Sequence, residues 1–268
     1  MLRSRVITAL MIAPLALAAL LLLDASAYVL FIAAVLAVCG WEWANFAYLR
    51  GWSRIAYGLL IGLITSFVPP SAWWLWISLM TWVIAGYLVL RFPKYPATLK
   101  RPTPILALGV VLMVPAGLAL VMLQSQPNYA ANLVLLLGLV WCADIGAYFT
   151  GRRWGKRKLH PAVSPGKSWA GVYGGWVITL VFVLLWRVQT GLFGLSNWKV
   201  ELFWLLMASG MVFVSILGDL SMSMFKRVRD VKDSSQLLPG HGGFLDRLDS
   251  LFSVAPILVL CLVYGGLV

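Results

Sequence analysis

Apolar residues gather in nine runs along the chain, at about 6–23, 27–48, 55–69, 72–90, 104–123, 130–150, 171–188, 202–222 and 250–267. Most come close to the ~20 residues that carry a helix across a bilayer core. The third, closed by Pro69-Pro70, is short. Basic residues fill alternate gaps between the runs. All but Arg187 and Lys199 of the 21 Lys and Arg lie at the N-terminus (Arg3, Arg5) or in the even-numbered gaps. The positive-inside bias then predicts a cytosolic N-terminus and a C-terminus outside. A wrong number of spans would scramble this alternation, so it supports nine. The expected fold is an all-α, polytopic integral membrane protein of about nine transmembrane helices. About five spans fall in 1–128 and about four in 129–268, with cytosolic loops at 151–170 and 223–249.

Composition narrows this further. Of the 268 residues, 62% are hydrophobic and only 11% charged, and mean hydropathy is +0.91. So few charges cannot cover a water-soluble fold. A soluble enzyme and a disordered chain are both excluded. The net charge of +12 would suggest nucleic acid in a soluble protein. Here it has another use, holding loops on the cytosolic side against anionic lipid, and no nucleic-acid partner is expected. Cys39, Cys142 and Cys261 all fall in apolar runs and read as packed hydrophobes. Arg3, Arg5 and Ala25-Ser26-Ala27 give residues 1–27 the outline of a signal peptide. The apolar stretch is long for one, so it reads as a retained first span.

The nine acidic residues carry most of the chemical information. Asp24 and Glu201 sit at span ends and read as solvated. Glu42, Asp144 and Asp219 lie inside apolar runs, where a carboxylate costs roughly 2.5–3.5 kcal/mol on insertion scales. All three fall near the cytosolic ends of even-numbered spans. Polar chemistry therefore belongs at that interface rather than at the midplane. Asp230 and Asp233 stand among Arg229 and Lys232 and read as surface ion pairs. Asp246 and Asp249, three apart, share a face if their stretch is helical. Asp219, Ser223, Lys226 and Arg227 fall at i, i+4, i+7 and i+8, one stripe of a continued eighth helix. Glu42, between Trp41 and Trp43, fits a hydrogen-bonded structural acid as well as a functional one.

Two loops could hold anions. Leu238-Pro239-Gly240-His241-Gly242-Gly243-Phe244 sets three glycines around a histidine, between cations and the Asp246/Asp249 pair. Glycines let backbone N–H groups turn toward an anion, and His241 could donate to a phosphate. With the carboxylates, this suits a metal-bridged polyphosphate. Gly151-Arg152-Arg153-Trp154-Gly155-Lys156-Arg157-Lys158 reads as a cluster at the lipid surface. Gly166-Lys167-Ser168 would open the seventh helix, where free N–H groups favour an anion. It is not a P-loop, since Pro161 stands where that pattern needs glycine.

The stretch Ser223-Met224-Phe225-Lys226-Arg227, then Lys232-Asp233, then Pro239-Gly240-His241-Gly242-Gly243-Phe244-Leu245-Asp246-Arg247-Leu248-Asp249 resembles the signature of the phosphatidate cytidylyltransferases. Asp144 through Gly151-Arg152 to Ser164-Pro165-Gly166-Lys167-Ser168 resembles that family too, departing from it at Ala170. The likeness is strong over about 140–250 and extends to the first hundred residues only in hydropathy. It implies the reaction of CTP with phosphatidate to give CDP-diacylglycerol and pyrophosphate, with Mg²⁺. A second cation is left open. It implies Asp219 and Asp246 as main metal ligands, with Asp144 and Asp249 as further ones. Lys226, Arg227, Lys232 and His241 would hold phosphates with help from Ser223, Gly242, Gly243 and Arg247. Lys167 and Ser168 would take the lipid phosphate or the nucleotide. Asp219, Asp246, Lys226 and His241 would form the catalytic set. The implied setting is the inner cell membrane, with the site facing the cytosol and the protein a homodimer among membrane lipids. Two alternatives remain. A CTP-dependent lipid or polyprenol kinase would share the nucleotide. A lipid transporter would be expected to show repeats and midplane charges, and the chain has neither.

Overall fold

A computed structural model of the protein describes residues 13–94, 96–190, 198–238 and 242–265. Each apolar run becomes a helix there. These are α1 (Ala13–Leu22), α2 (Ala25–Trp43), α3 (Trp52–Phe67), α4 (Ala72–Arg91) and α5 (Pro102–Gln124), then α6 (Tyr129–Trp154), α7 (Trp169–Gln189), α8 (Trp198–Val228) and α9 (Leu245–Tyr264). All except α1 and α3 are long and apolar enough to cross a membrane. The protein is an all-α polytopic membrane bundle.

Several boundaries differ from the hydropathy reading, and α2 stops at Trp43, short of its run to 48. α6 and α8 run several residues past their apolar runs, and α9 starts before its own. Backbone hydrogen bonding carries a helix beyond the point where its side chains turn polar, and hydropathy marks only that point. The 151–170 loop is a further departure. It holds an antiparallel hairpin, β1 (Lys158–His160) and β2 (Ser164–Ser168), with Lys158 opposite Ser168 and His160 opposite Ser164.

The alternating junctions meet at opposite ends of the bundle. At one end, Asn45 after α2 donates its amide to Ser234 O after α8 (3.3 Å). Trp43 Nε1 donates to Ile105 O at the start of α5 (2.7 Å). Arg227 Nε donates to Val163 O of the hairpin (3.3 Å). These are the basic, even-numbered gaps. At the other end, the Tyr129 hydroxyl donates to Leu20 O (2.6 Å), and Trp76 Nε1 donates to the Tyr264 hydroxyl (3.2 Å). Two acids expected to be solvated have partners there. Asp24 caps α2 by accepting from Ala27 N (2.9 Å). Glu201 pairs with the buried Arg187, joining α7 to α8.

Without a hydrophobic drive between helices in lipid, small residues set how closely they pack. α6 and α7 show this most plainly. A Cβ added at Gly146 would stand 2.6 Å from Gly174 O and 2.8 Å from Gly175 Cα. Those are backbone atoms with no rotamer to give way. Gly146→Ala is therefore expected to cost at least about 1–3 kcal/mol and to lower the unfolding temperature in detergent by several degrees. An unchanged melting curve would contradict this packing. α8 and α9 cross at Gly218, where an added Cβ would lie 2.7 Å from Asp249 O. This crossing carries Asp249 up against the turn that holds Asp219. α9 also packs on α2, α4 and α5, so the helix that bears Asp246 and Asp249 is braced from both sides of residue 128.

Candidate active site

Because α8 continues to Val228, Asp219, Ser223, Lys226 and Arg227 stand along one helical stripe. Ser223 Oγ donates to Asp219 Oδ1 (3.2 Å). Lys226 reaches across to α9, its Nζ 2.8 Å from Asp246 Oδ1. Lys167, at the end of β2, puts its Nζ 2.6 Å from Asp219 Oδ2. Ser168 caps α7, accepting from Gly171 N (3.2 Å). The Thr150 hydroxyl lies within hydrogen-bond reach of both Gly146 O and Ala170 O. At the position where the family signature is broken, the chain thus contributes its backbone.

These elements enclose a cavity of about 1010 Å³ between the C-terminal end of α6, the hairpin, the N-terminus of α7, the C-terminal half of α8 and the first turns of α9. Ala143, Val172 and Ile216 give it an apolar patch. Asp144, Asp219, Asp246 and Asp249 all line it. So do Lys167, Ser168, Lys226 and Arg247. Four helices and a hairpin thus bring together eight positions spread over more than a hundred residues of sequence. The carboxylates are electrostatically linked. Asp249 lies within range of Asp219, Lys167 and Lys226, and Asp144 within range of Asp219, Lys167 and Arg247. Repulsion among the acids is offset by the two lysines in direct contact with them.

Of the remaining expected residues, Ser223, Arg227, Lys232, Gly242 and Gly243 are not part of the cavity lining. Ser223 and Arg227 make the bonds just given, to Asp219 and to the hairpin. Lys232 is exposed on the loop after α8. Gly242 has φ +81°, a conformation that needs glycine, and its carbonyl accepts from Leu238 N (2.9 Å). Gly243 N donates to Asp246 Oδ2 (3.1 Å), and a Cβ at Gly243 would collide with Ser234 Oγ. His241 lies outside the described residues.

Several lining residues were not singled out from sequence. Asp233 reads there as a surface ion pair, yet it faces the cavity. Arg152, Arg153, Lys156 and Lys158 line it as well. Their density was the available signal, and it has the same appearance as an ordinary lipid-surface cluster.

The aspartates differ in how far they are committed. Asp246 Oδ1 is taken by Lys226, and Oδ2 accepts from Ser234 N (2.9 Å), Ser234 Oγ (3.0 Å) and Gly243 N. Asp219 holds one lysine and one hydroxyl. Among the described residues, no three His, Cys, Asp or Glu side chains converge closely enough to bind a metal by themselves. A Mg²⁺ ion takes only one or two carboxylates and completes its shell with water and phosphate oxygens. The donor set, four carboxylates beside several cations, fits a metal that arrives with a polyphosphate.

The cytidylyltransferase family model matches residues 3–264. The chain is 42% identical to a protein of Pseudomonas aeruginosa named phosphatidate cytidylyltransferase, over 99% of this chain and 98% of that one. It is 36% identical to a protein of the same name from Haemophilus influenzae, over 96% of each. A Bacillus subtilis protein of that name is 43% identical over 46% of this chain and 44% of its own length.

Proposed function

The chain belongs to the cytidylyltransferase family, and on that premise we propose that it transfers the cytidylyl group of CTP to phosphatidate, giving CDP-diacylglycerol and pyrophosphate. The observation that carries this reading is the joint lining of one cavity by four aspartates, Lys167, Lys226 and the capped N-terminus of α7. Such a set suits a phosphate that arrives with a divalent cation. Its place at the basic end of the bundle, with an apolar patch in its wall, suits a water-borne nucleotide meeting a lipid head group. We assign that end to the cytosol from the positive-inside bias and the membrane to the inner cell membrane.

Two strongly anionic substrates must meet in the reaction, so positioning and charge neutralisation are the enzyme's main tasks. A phosphate oxygen of phosphatidate attacks the α-phosphorus of CTP. The bond to the bridging oxygen breaks, and pyrophosphate leaves with that electron pair. No side chain need act as nucleophile. Mg²⁺ would supply charge neutralisation on the triphosphate. Asp219 and Asp246 would hold it, with Asp144 and Asp249 in support. Lys226, Arg227, Lys232 and His241 would hold phosphate oxygens, with Ser223, Gly242, Gly243 and Arg247 shaping the site around them. Lys167 and Ser168, at the start of α7, would take the lipid phosphate or the nucleotide. Because Lys167 and Lys226 contact Asp219 and Asp246, an arriving phosphate and its cation would exchange partners with two existing ion pairs. A homodimer in the membrane belongs to the same proposal, and the mass of the detergent-solubilised protein checks it.

The test uses the purified protein in detergent with phosphatidate, CTP and Mg²⁺. CDP-diacylglycerol and pyrophosphate should appear in equal amounts, and EDTA should stop both. Formation of either product without the other, or full turnover in EDTA, would overturn the reading.

A further inference from the structure

We propose that Glu42, on α2, is a positioning residue for the reaction, acting as a cap supplied from outside to the helix that carries Asp246 and Asp249. The proposal rests on the reading of the cavity as a cytidylyltransferase site. Glu42 has no exposed surface. Its carboxylate accepts from Phe244 N (2.9 Å) and Leu245 N (2.7 Å), and from the hydroxyls of Ser234 (3.0 Å) and Ser235. Phe244 is the N-cap of α9 and has no side-chain oxygen with which to cap it. Glu42 therefore does for α9 what a cap Ser or Asp does for its own helix.

Electrostatics point the same way. Glu42 stands in the last turn of α2, the end at which a negative charge is disfavoured. It is directed instead at the N-terminus of α9, where such a charge is favoured. The unfavourable position on its own helix is offset by the contact with α9, by the Ser234 and Ser235 hydroxyls and by the nearby charge of Arg54.

The link to chemistry is short. Asp246 sits in the first turn of α9 and Asp249 in the next. Ser234 donates its hydroxyl toward both Glu42 and Asp246, and its backbone N–H to Asp246. Gly243 is wedged between them, since a Cβ there would lie 2.6 Å from Glu42 Oε2. Asn45, three residues on, accepts through its carbonyl from Arg229 Nε (3.1 Å) and donates its amide to Ser234 O. The turn after α2 thus grips both flanks of the 229–244 segment. The first hundred residues, which the family model also covers, help to fix the geometry of acids on the far side of the sequence, although read from the sequence alone their likeness to the family lies only in hydropathy.

A carboxylate only accepts, which matches four donors, whereas a glutamine amide turns one of its two positions into a donor. Glu42→Gln should therefore loosen the start of α9 without emptying the space. A displacement of about 1 Å at reacting groups costs on the order of a hundredfold in rate. The expected result for Glu42→Gln is a fall in kcat of at least about tenfold, with the KM for CTP moving less than about threefold. In hydrogen–deuterium exchange of the full protein in detergent, a peptide covering 233–248 should exchange faster, while peptides from α5 and α6 stay as in the wild type. Ser235→Ala removes one of the four donors and should show the same pattern at a smaller kcat loss, about two- to fivefold.

A wild-type kcat in Glu42→Gln would overturn the proposal. So would a loss accompanied by faster exchange throughout the bundle and absent from Ser235→Ala. If the wild-type protein moved no label from CTP into lipid, the functional reading would fail. The exchange comparison would then still decide whether Glu42 holds the loop.

Discussion

Replacing Asp246 by Asn is expected to lower cytidylyl transfer about 100-fold or more while the protein still inserts and runs as a single species in detergent. Asp246 has a side chain only 7% exposed and stands against Lys226, which is 14% exposed. Its second oxygen collects three donors from Ser234 and Gly243. An asparagine presents an NH₂ group either to Lys226 or to those donors, and in both cases donor faces donor. The lysine is left without its counter-charge. Breaking a buried pair from one side costs roughly 3–5 kcal/mol in favourable cases. The partial exposure of Lys226 puts this pair toward the lower end. Bundle packing lies elsewhere, so that cost falls on the site. The measurement is transfer of radiolabel from CTP into extracted lipid, alongside gel filtration of the same preparation. Near-normal transfer would remove Asp246 from the mechanism.

Lys226→Ala carries the second large effect. Lys226 lies seven residues after Asp219 on the α8 stripe and spans to Asp246 on α9, so one side chain bridges the two elements that supply the proposed metal ligands. Removing it takes a cation from the phosphate-binding wall and releases Asp246 from its contact. The expected result is a raised KM for CTP together with a turnover loss of about 100-fold. The double variant with Asp246→Asn should lose less than the product of the two single losses, because the residues act as a unit. Unchanged turnover across CTP and lipid concentrations would contradict the assignment. Full multiplicativity in the double variant would contradict the coupling.

How much of this was legible beforehand depended on whether the signal was local. Hydropathy located the nine α-helices of the described residues, because each apolar run reports on itself. Alternation of Lys and Arg separated the two ends of the bundle that Asn45, Trp43 and Arg227 join at one side and Tyr129 and Trp76 at the other. Helical spacing alone put Asp219 and Lys226 on one stripe, and Asp246 with Asp249 on one face. The hairpin at 158–168 was not legible. Its strands are three and five residues long, and Pro161, Pro165 and Gly166 argue against strand. Nor could the sequence show that Glu42 meets Ser234, Ser235 and Leu245, since those bonds span about two hundred residues and leave no periodic trace. Asp233 and the Arg152–Lys158 cations were visible as charges but not as cavity lining. A loop's charge pattern is the same whether it folds over a site or lies on a membrane.

The most direct test of the central claim, transfer of the nucleotide's α-phosphoryl part to a lipid phosphate, follows the two ends of the triphosphate separately. Purified protein, phosphatidate and Mg²⁺ are incubated with [α-³²P]CTP in one tube and [γ-³²P]CTP in another, and the lipid and aqueous phases are counted. The α-label should move into the lipid phase and the γ-label should be recovered as pyrophosphate. Appearance of the γ-label in lipid, or of neither label, would contradict it.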